Sequence, residues 1–165
     1  MVKMNKKDLA LFCYPWDVID EGYDAIIDAV KRSGLNAIYI TVNYHSGMFF
    51  LPHSKKRKIY FPEPGALYFN PSSWHNNHSF KSPISNLTEN WSQFWEELSN
   101  QCKKNNIKLC AWMLGTHNSG IGNNYPDTSV YNAWGDPITH SLCPFNSDVV
   151  DCLLYTSDAA DDLLC

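Results

Sequence analysis

Between residues 8 and 114 the chain alternates short apolar runs with amphipathic stretches, and the links between them differ greatly in length. Residues 8–14 form an apolar run with aromatic ends, bounded by Lys6-Lys7 and Pro15, which suits a strand buried on both faces. Ile19, Tyr23, Ile26, Ile27 and Val30 then recur at helical spacing, with Asp20, Asp24, Asp28 and Lys31 on the opposite face and Gly34 placed for a left-handed cap. Residues 37–42 are β-branched and aromatic and predict a second strand. Thr88 is placed as the N-cap of a second helix whose one face carries Trp91, Phe94, Trp95, Leu98 and Cys102. Residues 107–114 predict a third strand, and Ser147 starts what reads as a third helix.

Strands alternating with helices imply a parallel sheet with right-handed crossovers. The links from helix to strand are short, at 34–36 and 105–106. Those from strand to helix are long, at 43–86, with a hairpin expected at 58–68, and at 115–146. Long strand-to-helix loops gathered at one face are how eight-stranded barrels build their sites. Tyr14-Pro15-Trp16-Asp17 stands where a nucleotide-binding sheet carries a Gly-rich turn. The expectation is therefore an α/β chain with the first three β/α units of a truncated (β/α)8 TIM barrel. An open flavodoxin-like sheet is the competing architecture.

Composition limits the rest. Hydrophobic residues at 44% of 165 supply one core and too little for two. The basic run Lys55-Lys56-Arg57-Lys58 sits among aromatics and prolines rather than in a nucleic-acid motif, so no polynucleotide partner is expected. No stretch has the ~18 apolar residues of a membrane span, and 9–13 is too short for a secretory core, so no membrane partner and a cytoplasmic location are expected. Cys13, Cys102 and Cys110 lie in core-like positions without a CxxC pair and read as free thiols. His75 and His78, separated by two asparagines, lack a helix or a further ligand type, so neither a metal nor a cofactor is expected.

Residues 152–162, Cys-Leu-Leu-Tyr-Thr-Ser-Asp-Ala-Ala-Asp-Asp, match the translation of a transposase-type sequencing adapter residue for residue. The expectation is a natural segment over 1–151 and a non-native tail over 152–165, which must be set aside before fold reasoning. Without Asp158, Asp161 and Asp162 the two charge signs are nearly balanced. The alternative is a true amphipathic helix carrying Leu153, Leu154, Leu163 and Leu164.

The strand ends present Tyr14, Trp16 and Asp17, then Asn43, Tyr44 and His45, then Thr116, His117 and Asn118. Aromatic rings beside amides and imidazoles suit a sugar, whose C–H faces stack on rings while its hydroxyls need donors and acceptors. Several stretches carry a family likeness: Tyr44-His45-Ser46-Gly47, Leu51-Pro52-His53-Ser54, Tyr60-Phe61-Pro62-Glu63, Tyr68-Phe69-Asn70-Pro71, Leu114-Gly115-Thr116-His117-Asn118, Asn132-Ala133-Trp134-Gly135-Asp136-Pro137 and Ser141-Leu142-Cys143-Pro144. Over most of 8–151 the chain resembles the front half of bacterial glycosyl-hydrolase-like TIM-barrel proteins of the alpha-amylase-family-protein type.

That resemblance implies glycoside hydrolysis by a pair of carboxylates, borne on later strands in such barrels. None of Asp17, Glu63, Asp127 and Asp136 is therefore expected to be catalytic, and the segment is expected to be inactive by itself. The expected sugar contacts are Asn43, His45, His117 and Asn118, with Trp16 as a stacking platform and Asp136 as a loop-organising acid. A carbohydrate-binding or structural barrel without catalysis is the second functional reading.

Overall fold

A computed structural model describes residues 7–71 and 80–164. In chain order its elements are β1 (Ala10–Cys13), α1 (Pro15–Glu21), α2 (Tyr23–Arg32), β2 (Ala37–Thr41), β3 (Asn43–Tyr44), β4 (Phe49–Phe50), β5 (Ile59–Tyr60), β6 (Ala66–Leu67), α3 (Trp91–Lys104), β7 (Lys108–Trp112), α4 (Ser119–Asn124), a 3-10 turn (Pro126–Thr128), β8 (Ser129–Tyr131), β9 (Pro137–Leu142) and α5 (Ser147–Leu164).

The three longer apolar runs pair in parallel in the order β1-β2-β7, with Phe12 level with Tyr39 and Tyr39 level with Cys110. Period-two alternation turns Cys13, Ile38 and Ile40 to one face, where they join Ile26, Ile27 and Val30 of α2 and Trp95, Leu98 and Cys102 of α3 in one core. Each of these large apolar side chains contributes about 1.5–3 kcal/mol on burial. The other face carries Phe12, Tyr39 and Trp112, and Phe12 is 60% exposed. The first strand is therefore open on one side, not buried on both as its composition suggested.

The single helix expected from the spacing of Ile19 to Val30 is two. Gly22 takes φ +94 between α1 and α2, a conformation that a side chain would strain, and its N–H still closes α1 on the Val18 carbonyl. The second predicted helix begins two residues later than Thr88 suggested. Asn90 is the N-cap and accepts the Gln93 N–H at 3.0 Å, while Thr88 accepts the Asn90 N–H at 3.2 Å.

The truncated barrel is overturned by what the two long loops contain. Residues 43–67 fold as nested antiparallel pairs, β3 with β6 and β4 with β5, and residues 129–142 form the antiparallel pair β8–β9. The described residues form a small α/β domain with one three-stranded parallel sheet and short antiparallel pairs, rather than a succession of barrel units. The hairpin expected at 58–68 is centred instead on 49–60. Loop length was a poor guide because two-residue strands bounded by Pro and Gly leave almost no periodicity to read.

Residues 152–164, set apart above as adapter-derived, continue α5, and Cys152, Leu153 and Ala160 reach apolar neighbours. A helix is what such Leu- and Ala-containing residues adopt when a helix precedes them, and the origin of the stretch is a question for the encoding DNA. All described cysteines are free thiols, Cys13 and Cys102 fully inside the core. No helix among the described residues is long and apolar enough to cross a membrane.

Candidate functional site

The carboxyl ends of β1, β2 and β7 open onto one surface, and the antiparallel additions build on it. Asn43 opens β3 two residues past the end of β2, and its side chain acts as an extra piece of backbone. Its Oδ1 accepts the Leu114 N–H at 2.8 Å, while its Nδ2 donates to the Leu114 carbonyl at 2.9 Å. Buried and with both groups satisfied, Asn43 holds the segment after β7 beside the end of β2.

His45 comes next. It stacks on Tyr44 at 4.4 Å between ring centroids, and its Nδ1 bonds the Ser46 carbonyl. His117 meets it edge-on at 4.6 Å, and His140 of β9 lies 5.7 Å from His117 on the other side. Partial desolvation and the neighbouring His45 and His140 rings hold the His117 pKa below the usual histidine value. That shift favours the neutral ring, which can both donate and accept.

His140 was not among the expected site residues, because 115–146 read as an unstructured Gly- and Asn-rich loop. Its β9 pairs with β8 across a turn in which Gly135 takes φ +88, and an isolated bridge joins His117 to Ser141. The alternation over Ile138, His140 and Leu142, set after Asn-Ala-Trp-Gly-Asp, was the available sign of a hairpin.

Aromatic side chains border the imidazoles. Trp112 lies 5.9 Å from Tyr44 and 5.5 Å from Tyr14, and the Tyr14 and Tyr44 hydroxyls stand 3.4 Å apart. The Ser46 and Ser119 hydroxyls, also 3.4 Å apart, lie across the same rim. A surface of this kind offers ring faces, imidazole nitrogens and hydroxyls as hydrogen-bonding groups.

The other expected contacts are placed differently. Asn118 is buried as the N-cap of α4, accepting the Ile121 N–H at 3.0 Å, and its amide sits against Gly65, leaving no exposed group for a ligand. Trp16 is wholly buried: it stacks on Tyr14 at 4.4 Å and packs against Phe49 and Tyr60 at 4.9 Å each, so it shapes the core beneath the site rather than offering a platform. Asp136 sits apart on the exposed β8–β9 turn, where its carboxylate accepts from Asn132 Nδ2 at 3.0 Å and its N–H donates to Asn132 Oδ1 at 2.9 Å.

Of the remaining acids, Asp17 closes back on the Tyr14 N–H at 3.0 Å, and burial raises its pKa to about 6. Glu63 accepts from the Tyr60 and Ser85 hydroxyls. The structure thus gives both carboxyls internal partners rather than facing them across a cleft. Among the described residues no three His, Cys, Asp or Glu side chains are placed to hold a metal ion. His75 and His78 lie outside the described residues.

No known family profile and no curated protein matches the chain. A crystal structure of a hypothetical protein from Ruminiclostridium thermocellum ATCC 27405 is similar, with a TM-score of 0.58 over 93% of this chain and 70% of that chain, at 15% identity. The likeness is one of fold.

Proposed function

We propose that this chain binds a carbohydrate at the strand ends, through His45, His117 and His140 with Tyr44 and Trp112 as the apolar border. The observation that carries this reading is the row of three imidazoles with ring centroids 4.6 and 5.7 Å apart, set beside an aromatic cluster. Imidazole nitrogens match the hydrogen-bonding needs of vicinal hydroxyls, and the adjoining rings match a sugar's C–H face. Glycoside hydrolysis requires two carboxyls across the bond. Asp17, Glu63 and Asp136 each hold an internal bond, which supports a reading of sugar binding rather than hydrolysis at these three acids.

Saturation-transfer NMR with neutral cello-, xylo- and malto-oligosaccharides tests this. Transfer to at least one sugar, abolished in His117→Ala, supports it. Transfer to none of the three, or transfer that persists unchanged in His117→Ala, rejects it.

A further inference from the structure

We propose that the β4–β5 hairpin is a peripheral membrane-docking element that seats on an anionic lipid surface. Phe49 pairs with Tyr60, and both turn toward the core, so Phe50 and Ile59, the next pair, turn outward. Continuing that register places Met48 across from Phe61 on the same outer face. These four are exposed by 69% (Met48), 71% (Phe50), 51% (Ile59) and 65% (Phe61). Two facing pairs of large apolar side chains on one side of a hairpin exceed the scattered single exposure common on soluble surfaces.

The same hairpin ends in a cationic tip. Arg57 is neutralised by Asp20, but Lys55, Lys56 and Lys58 are exposed and, among the described residues, form no ion pair with a carboxylate. Lys56 donates to the Ile19 carbonyl at 2.5 Å, and Lys58 donates to the Pro52 and Ser54 carbonyls at 3.0 and 2.8 Å, contacts that position the ammonium groups without cancelling their charge. The nearest acid along the chain, Glu63, accepts from Tyr60 and Ser85 on the inner side. The chain as a whole carries −4, so the positive tip is a local feature.

An apolar face within a few residues of three uncompensated lysines fits a bilayer interface, with the side chains among the acyl chains and the ammoniums at the headgroups. A glycan fits poorly, since Met48, Phe50, Ile59 and Phe61 offer its hydroxyls no hydrogen-bonding group. A second copy in a two-fold pairing would bring the same patch, lysines included, against itself.

Flotation of the full chain with phosphatidylcholine vesicles, with and without phosphatidylserine, tests the proposal. The expected result is partition about 100-fold stronger with the anionic lipid, falling with salt. Phe50→Ser with Phe61→Ser should abolish it, and Lys55→Glu should weaken it roughly tenfold. All three changes lie on outward side chains, and circular dichroism confirms that the variants fold. Equal partition to both vesicles, no partition, or partition indifferent to these changes overturns the proposal. So does a lipid-free dimer that the double serine variant dissolves, because the occupant would then be a second copy. Sugar binding by the same variants is read separately and does not depend on the outcome.

Discussion

Arg57 grips the buried carboxylate of Asp20 with both arms of its guanidinium, Nε to Oδ2 at 2.9 Å and NH2 to Oδ1 at 3.0 Å. Ser54 adds a hydroxyl bond to Oδ2 at 3.1 Å, so the Asp20 side chain, with no solvent exposure, is satisfied on both oxygens. The pair ties the tip of the β4–β5 hairpin to α1 across thirty-seven residues of sequence.

Removing one partner leaves a buried charge alone. Arg57→Ala is expected to cost about 3–5 kcal/mol in urea unfolding, whereas Arg57→Met combined with Asp20→Leu recovers most of the loss. Equal destabilisation by the single and double variants would show that the pair does not act as a unit.

Gly122 of α4 lies against β9, where a Cβ would stand 2.0 Å from the Thr139 carbonyl oxygen and 2.9 Å from Ser129 Oγ. Gly122→Ala therefore forces α4 and β9 apart. A loss of roughly 1–3 kcal/mol is expected, together with a shift of the His140 ring signals in NMR while those of His53, in the β4–β5 loop, stay fixed. An unchanged melting temperature would contradict the close approach.

Asp17 gives the fold a pH dependence of definite sign. Burial is the largest cause of its raised pKa, about 6 against 3.8 when unfolded. Between those values the native state holds the extra proton, so its stabilising contribution is complete below about pH 4 and is lost as pH rises through 6. The difference corresponds to about 3 kcal/mol. Asp17→Asn keeps an oxygen for the Tyr14 N–H, and its stability relative to the parent should rise by that amount from pH 4 to 7. Parallel stability curves would contradict the shift.

The long elements were legible because they bury many side chains at a regular period. Phe94, Leu98 and Cys102 announce α3, and Ile38 and Ile40 announce β2. The truncated barrel was expected and is not what forms, since closure depends on how strands pair at a distance and the loops themselves hold antiparallel pairs two or three residues long. At the candidate site, His45 and His117 were expected as contacts from their place after strands, and the structure brings their rings together. Asn118 and Trp16 were read as contacts although their side chains face inward, because position after a strand does not fix side-chain direction. His140 has a local sign in the alternation of its hairpin, but the bridge of His117 to Ser141 that brings it to the site spans a separation no local pattern records.

The central claim is that three imidazoles act together on a sugar. Histidine side-chain NMR during titration with the oligosaccharide that gives the strongest saturation transfer tests it most directly. The ring resonances of His45, His117 and His140 are expected to move with one common binding curve while those of His53 stay in place. Movement of His53 alone, or a sugar that binds while all three rings remain unperturbed, would contradict it.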